Sequence, residues 1–256
     1  MTDPDPDLVE ALVTASRVVL LTGAGVSTAS GLPDYRGPQG VWKTRTPIFF
    51  QDFLADPAER ERDWRQHAGD RAICRQAHPG PAHLAAVRLE QAGKLDCLIT
   101  QNIDGLHTAA GTSPERLVEL HGALADAECV ECGRRFPGDP VYEKFLAAAQ
   151  VPACPCGGWL KPAVISFGQS LREADLERAV AAAAAADLFI ALGTTLSVQP
   201  ASLLGLQAAR AGTPYFVLNL GDTEHDGHPL VRKRIEGDVN EVFPAAVDAA
   251  ILMSGG

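Results

Sequence analysis

No stretch of the chain is both apolar enough and long enough to span a bilayer. The nearest candidate, "AVAAAAAADLFIALG", reads as an alanine helix running into a short strand, and Asp187 interrupts it. The N-terminal "MTDPDPDLVE" lacks the apolar core of a secretory signal. Lysine is scarce, with five against seventeen arginines, and no basic block stands against a net charge of −10. That balance excludes a surface built to hold nucleic acid. The expected compartment is therefore the cytoplasm, with no membrane and no direct nucleic-acid partner, and cysteines there stay reduced. Abundant alanine and arginine fit a GC-rich bacterial genome.

What is present is an ordinary globular composition of 256 residues, 46% hydrophobic and 21% charged. That length suits one large α/β domain with a small insert. Four short apolar runs end in glycine, asparagine or threonine: "RVVLLTGAG", "LDCLITQN", "DLFIALGTT" and "PYFVLNLG". Helical stretches such as "PAHLAAVRLEQAG" and "LREADLERAVAAAAAA" lie between them. Buried strands alternating with helices predict an α/β fold with a doubly wound parallel sheet, whose ligands sit at the carboxyl ends of the strands. The polar clusters fall at those ends: Gly23-Ala24-Gly25, Gln101-Asn102-Ile103-Asp104, Gly193-Thr194-Thr195 and Asn219. Two stretches break the alternation. Residues 41–79, with Trp42, Trp64 and several prolines, predict a helical insert or lid. Residues 126–160, rich in cysteine, proline and glycine, predict a second insert with little core of its own. Residues 1–40, 80–125 and 161–256 are left for the larger domain.

"CVEC" at 129–132 and "CPC" at 154–156 form two close thiol pairs separated by 21 residues. Such spacing predicts a four-thiolate zinc ribbon with Cys129, Cys132, Cys154 and Cys156 as ligands. With every ligand a cysteine, no coordination position is left for a substrate, so the Zn2+ is expected to be structural. Cys74 and Cys97 read as ordinary buried or half-buried thiols.

Of the seven histidines, His225 and His228 lie in a polar loop and are expected in solvent, and His83 reads as a helix-entry residue. His121, in "ELHGAL", has the pKa range of a proton acceptor, but spacing alone also allows a satisfied core histidine. In "QNID", Asn102 and Asp104 face one side if the segment is extended, yet Asn and Asp before Gly105 also form turns.

The first apolar run does not complete a dehydrogenase fingerprint. Thr28 stands where the third glycine would be, and no acidic residue follows about 20 positions on. In its place stands Asp34-Tyr35-Arg36. Taken in order, "GAGVSTASGLPDYRGPQGVW", "TQNIDGLH", "ELHG", the two cysteine pairs, "LKPAVISFGQ", "GTTLSVQPA" and "GDVNEVFP" resemble the sirtuins, the NAD-dependent protein deacylases, across about residues 10 to 250.

That resemblance implies a Rossmann-like domain and a small module made of the helical insert and the zinc ribbon. NAD and an acyl-lysine protein or peptide would enter the cleft between them. Gly23, Ala24, Gly25 and Ser27 would border the pyrophosphate. Gly193, Thr194 and Ser197 would add phosphate and ribose contacts, Asn219 would meet the adenosine ribose, and Asp238 and Val239 would lie by the adenine. Asp34, Tyr35 and Arg36 would belong to a mobile flap. Gln101 and Asn102 would contact the nicotinamide ribose, and Ile103 and Asp104 the carboxamide. The peptide would lie between "FGQS" and "SVQPA", with Ile165, Phe167, Gly168 and Val198 around the lysine stem. NAD is consumed in such a reaction. Nicotinamide leaves, His121 acts as general base with Asn102 beside it, and the products are lysine and O-acyl-ADP-ribose.

Departures from the family pattern are Tyr35 in place of phenylalanine, Gln169 in place of glutamate and Ala163 in place of aspartate. The subgroup selective for succinyl- and malonyl-lysine carries a tyrosine and an arginine in the helical insert. His67 and Asp70 stand there, so no carboxylate clamp is expected, and "GPQGVW" is closer to the long-chain deacylases and ADP-ribosyltransferases. Mono-ADP-ribosylation or NAD hydrolysis at the same site is the alternative activity. A catalytically idle zinc-ribbon protein that senses NAD is the alternative from another class. The expected state is a monomer or weak oligomer.

Overall fold

Apolar runs of five or six residues, flanked by glycine or proline, form strands here because both of their faces are covered. The computed structural model describes residues 4–37 and 40–254. Its strands are β1 (Val18–Thr22), β2 (Leu95–Thr100), β3 (Leu117–Glu119), β4 (Gly122–Cys129), β5 (Arg135–Pro137), β6 (Leu160–Val164), β7 (Leu188–Leu192), β8 (Tyr215–Asn219) and β9 (Lys233–Glu236). The helices are α1 (Pro6–Thr14), α2 (Phe50–Ala55), α3 (Pro57–Cys74), α4 (Pro81–Gln91), α5 (Leu106–Ala110), α6 (Gly138–Ala148), α7 (Glu173–Ala185), α8 (Leu203–Arg210) and α9 (Val239–Ser254).

Six strands make one sheet in the order β3-β2-β1-β7-β8-β9, with every neighbouring pair parallel. The four apolar runs are β2, β1, β7 and β8 at its centre. Strands β3 and β9, at the edges, are short and carry Glu119, Lys233 and Arg234, so hydrophobicity alone does not mark them. Side chains alternate across the sheet. Leu20, Leu98, Ile190 and Leu218 pack with α1, α4 and α9, whereas Val19, Leu21, Ile99, Phe189 and Val217 pack with α7 and α8. In the alanine helix α7, Ala179 and Ala183 are fully buried one turn apart, so the small side chain lets the helix sit close to the sheet.

Residues 41–79 contain α2 and α3. They share a third core with the cysteine-rich stretch: Phe53 and Trp64 pack with Tyr142, Phe145 and Leu160. Trp64 Nε1 donates to the Leu160 carbonyl at 2.9 Å, and its ring meets Tyr142 edge-on at 5.1 Å. The cysteine-rich stretch therefore has little core of its own, because its apolar side chains are covered by α3. Its sheet, in the order β5-β4-β6, is antiparallel. Strand β4 begins at Gly122, just after β3, and β6 ends at Val164, just before the loop at 165–170, so both strands join the small module to the larger domain. Among the described residues, no helix is long and apolar enough to cross a membrane.

Candidate functional site

Strand β1 pairs with β2 on one side and β7 on the other, so the chain leaves the sheet centre in both directions. A crevice opens outside the carboxyl ends of strands that diverge in this way. After Thr22 the chain turns through Gly23 into a 3-10 helix, Ala24–Ser30. Gly193, with φ +61°, ends β7 against it. A Cβ on Gly25 would lie 2.7 Å from Gly193 Cα, and one on Gly193 would lie 2.8 Å from Gly25 Cα, so the two loops touch backbone to backbone. The contact also uses donors: Gly25 N–H goes to Gly193 O and Gly23 N–H to Leu192 O, each at 2.9 Å. Both amides are thus turned to the neighbouring loop.

Polar groups from β2 connect to this turn. Asn102 is buried, and its Nδ2 donates to Gly23 O at 3.1 Å and to Ser27 Oγ at 3.2 Å. Ser27 Oγ donates in turn to Asp104 Oδ2 at 2.7 Å, while Asp104 Oδ1 accepts from Leu106 N and caps α5. The two readings of "QNID" are therefore not exclusive. The segment is irregular with a bend at Asp104, and it presents Gln101, Asn102 and Ile103 to a cavity. Gln101 Nε2 reaches Thr194 Oγ1 at 3.1 Å and ties the second loop to the third.

That cavity, of about 1110 Å³, runs between the large sheet and the small module. Its walls include Gly23, Ala24, Gly25, Gln101, Asn102, Ile103, His121, Gly193, Thr194, Ser197, Asn219, Asp238 and Val239. Asp34, Tyr35 and Arg36 line it from a loop closed by Gly37 N–H on Asp34 Oδ1 and Val41 N–H on Asp34 O. Pro38 and Gln39 of "GPQGVW" lie outside the described residues. Ile165, Phe167, Gly168 and Val198 line the cavity from the opposing segments. Ser27 and Asp104 stand behind Asn102 as its supports. Leu196, between Thr195 and Ser197, holds φ +57° although it is not glycine, a strained conformation beside the cavity.

His121 ends the turn after β3. Its Nδ1 lies 3.0 Å from Gln101 O, a carbonyl that can only accept, so the ring carries its proton at Nδ1 and a bare lone pair at Nε2. Burial holds its pKa below 6.5, and the Arg36 cation adds to the effect. Burial likewise pushes the Tyr35 phenol upward, reinforced by the Asp70 and Asp104 carboxylates, so it stays a hydroxyl.

His67 lines the cavity from α3, whereas His83, His107, His225 and His228 are absent from its walls. His83 accepts the Gly80 amide at Nδ1 and starts α4, the helix-entry role expected of it. His107 is buried against it, with ring centroids 4.7 Å apart and Thr22 Oγ1 at 3.1 Å from Nε2. One expectation is corrected: His225 is buried, because its Nδ1 bonds the hydroxyl of Tyr215 at 2.9 Å beneath the loop. His228 beside it is half-buried. The polar residues around them concealed an aromatic anchor.

In the small module, Cys129 and Cys156 sulfurs lie 3.5 Å apart and Cys132 and Cys154 sulfurs 3.8 Å apart, and all four fall within 4.8 Å of one another. Four thiolates at about 2.3 Å from one zinc ion would be about 3.8 Å apart, so the cluster fits tetrahedral Zn2+. Gly157, at φ +95°, lets its amide return to the Cys154 carbonyl and close the second knuckle. Cys74 is half-buried and Cys97 buried, away from the cluster.

Sequence reasoning did not single out the wall formed by Arg45, Gln66 and Asp63, which lines the same cavity. The available signal was the spacing of Asp63, Gln66, His67 and Asp70, one stripe of a helix.

An open parallel sheet, a glycine turn that lacks the dehydrogenase fingerprint, a cleft lined by an imidazole and a four-thiol cluster together define an α/β class with a small ribbon-bearing module over the carboxyl ends of the strands. Residues 23–200 match the Sir2 family model, and the chain belongs to that family. It is 41% identical over 249 residues to an NAD-dependent protein deacetylase of Haloarcula marismortui, covering 93% of this chain and 92% of that one. It is 40% identical over 215 residues to NAD-dependent protein deacetylase 1 of Bradyrhizobium diazoefficiens, covering 84% and 85%. A solved complex of a Sir2 homologue with NAD has a TM-score of 0.84 at 31% identity, covering 99% of this chain and 98% of that one. A Sir2 structure with a deacetylated p53 peptide and 3'-O-acetyl ADP-ribose has a TM-score of 0.83 at 32% identity, covering 94% and 96%.

Proposed function

We propose that this chain is an NAD-dependent protein-lysine deacylase that transfers the acyl group to ADP-ribose. The observation that carries the reading is a base with a bare Nε2, His121, in one cavity with the glycine turn, Asn102 and the peptide-facing segments. NAD supplies the ribose that accepts the acyl group and releases nicotinamide. The chain's residues then divide the remaining tasks. Gly23, Ala24, Gly25, Gly193, Thr194 and Ser197 border the phosphates as backbone and small hydroxyls, with Ser27 behind them. Asn219, Asp238 and Val239 face the adenosine end. Gln101, Asn102 and Ile103 hold the nicotinamide end, with Asp104 acting from behind through Ser27 and Asn102, and with Asp34, Tyr35 and Arg36 as the flap that excludes water. Ile165, Phe167, Gly168 and Val198 take the acyl-lysine, with main-chain pairing fixing the peptide. His121 Nε2 accepts the ribose proton, and Gln101 O steadies the imidazolium that results. Cys129, Cys132, Cys154 and Cys156 hold a structural Zn2+ remote from the chemistry. The division into a Rossmann-like domain (1–40, 80–125, 161–256), a helical insert (41–79) and a ribbon insert (126–160), a cytoplasmic location and a monomer or weak oligomer complete the reading.

Incubation with NAD and an acetyl-lysine peptide tests it. Nicotinamide release that requires the acylated peptide is the expected result. Equal release without peptide would replace the reading with NAD hydrolysis.

The lowered His121 pKa sets the pH dependence. A base works only unprotonated, so depressing its pKa extends activity downward. The acid limb of kcat/KM should fall below pH 6.5, the ordinary imidazole value, and a limb above that would remove His121 as the titrating base.

Tyr35→Phe removes a hydroxyl enclosed near Asp70 and Asp104. One lost hydrogen bond corresponds to roughly a threefold to tenfold rise in KM for NAD, with kcat less affected. Unchanged KM and unchanged nicotinamide inhibition would mark the hydroxyl as incidental.

A further inference from the structure

Gly122, the residue after His121, starts β4 against β6, and the ladder between these strands breaks there. Gly122 pairs with Val164 and Ala127 with Pro162, so β4 places residues 123–126 where β6 places only Ala163. Interruptions of this kind re-aim the residues beside them, which is why they gather next to active sites. Gly122 holds φ +75°, and a Cβ on it would lie 2.1 Å from Ala163 O. The residue after His121 therefore rests directly on the carbonyl at the break.

Arg172 meets that carbonyl from a third segment. It follows Ser170 and Leu171, which line the cavity, and stands at the N-cap of α7 with its side chain 22% exposed. Its Nη2 donates to Ala163 O at 3.0 Å and to Glu128 Oε2 at 2.8 Å. Its Nη1 lies 3.0 Å from where the same Cβ on Gly122 would stand, so the guanidinium also packs on that glycine. Glu128 belongs to β4 on the far side of the break, where it pairs with Lys161. One side chain thus spans the interruption and ties both strands to the loop that carries Phe167 and Gly168. The backbone of His121 is joined to the same place, because His121 O accepts from Ile165 N at 2.8 Å. Its ring is held from the other side, by Gln101 O. A shift of residues 163–165 would carry the His121 backbone along while Gln101 stays, and the Nδ1 bond would lengthen.

Resting on the deacylase reading, we propose that Arg172, held by Glu128, is a positioning residue for the His121 base. By clamping the break between β4 and β6 it keeps the ring seated on Gln101, and it couples the peptide-facing loop to that ring. Arg135 reaches the same Glu128 oxygen from β5, at 3.3 Å, and provides the control.

The test measures kcat, KM for NAD and the acid limb of kcat/KM with an acetyl-lysine peptide. Arg172→Met keeps the alkyl stem and removes both bonds. Its kcat should fall about 10- to 100-fold, the cost of a misplaced catalytic group, with KM for NAD within about threefold of wild type. Inactive molecules would also lower kcat, but they cannot move a titration. Burial lowers the His121 pKa, the Gln101 carbonyl supports the protonated ring, and the Arg36 cation opposes it. Weakening the Gln101 bond therefore lowers that pKa further, and the acid limb should move down by about 0.5–1 pH unit. Both Arg172 bonds leave from one nitrogen, so a lysine ammonium can serve the same two acceptors. Arg172→Lys should bring kcat to within about threefold of wild type and restore the limb. Arg135→Ala should leave kcat within about twofold, as expected for an exposed ion pair, and the limb in place. Glu128→Gln keeps an acceptor for Nη2 without its charge, and should move the limb the same way by a smaller step.

A wild-type kcat in Arg172→Met overturns the inference and leaves the deacylase reading intact. An unmoved limb in that variant, or in Glu128→Gln where Arg172→Met does not fold, does the same. So does Arg172→Lys no better than Arg172→Met, or Arg135→Ala as damaging as either. No turnover by the wild-type protein overturns the deacylase reading and the inference together.

Discussion

His121→Ala is expected to lower peptide-dependent nicotinamide release by about 10²- to 10⁴-fold, the usual contribution of a positioned general base. The open nitrogen of the ring shares the cavity with Asn102 and the glycine turn, and its carbonyl-held Nδ1 fixes the ring; His67 lines the same cavity from α3. His83 and His107 are buried against one another, and the imidazole nitrogens they use reach Gly80 N and Thr22 Oγ1. Neither can substitute. The loss should fall mainly on kcat, because the groups assigned to NAD come from other loops. NAD affinity, measured by calorimetry, should stay within about threefold of wild type, the size of one ordinary hydrogen bond. The backbone around residue 121 is held independently: His121 O accepts from Ile165 N at 2.8 Å, and Leu120 N donates to Thr100 O at 2.9 Å. Truncation of the ring therefore leaves the segment in place. Near-wild-type turnover of the variant would remove the base from the proposed mechanism.

The second large effect concerns the four-thiol cluster. Metal analysis is expected to give about one Zn2+ per chain, and Cys129→Ala to lower Tm by roughly 20–40 °C. The reasoning is one of size. The module core consists of ten buried residues, and two of them, Cys129 and Cys154, are themselves ligands. Structural zinc sites contribute on the order of 10 kcal/mol to folding where the module cannot fold without them, and a chain of this length shifts by about 2–4 °C per kcal/mol. Activity should fall with stability, since β6 leads straight into the 165–168 segment of the cavity wall and Val164 pairs with Gly122 beside His121. Folded, active protein without zinc, or a Cys129→Ala variant melting within about 1 °C of wild type, would show that the thiols need no metal.

Hydrophobic period and strand-end chemistry were legible in the chain because they are local. Five-residue apolar runs bounded by Gly23, Gly193 and Asn219 could be strands only if buried on both faces, and a parallel sheet follows from the helices between them. The cysteine pairs were legible for the same reason: metal-ligand spacing within a knuckle is a matter of a few bonds. The edge strands β3 and β9 were not, since three residues of β3 and the single buried Ile235 of the charged β9 are too little for a periodic signal. His225 was misread because its partner, Tyr215, lies ten residues away across a loop.

The sequence by itself determined the class of fold, the set of four clustered thiols and, through its ordered motifs, the family and most of the residues that line the cavity. Only the tertiary structure decided that the Gly25 amide is taken by Gly193, that Ser27 and Asp104 support Asn102 from behind, and that α3 turns a charged stripe toward the same cavity. Each of these is a contact between segments at least 75 residues apart, or between a loop and a helix of different layers. Local propensity carries no information about which distant donor meets which acceptor, because that pairing is set by how the layers pack.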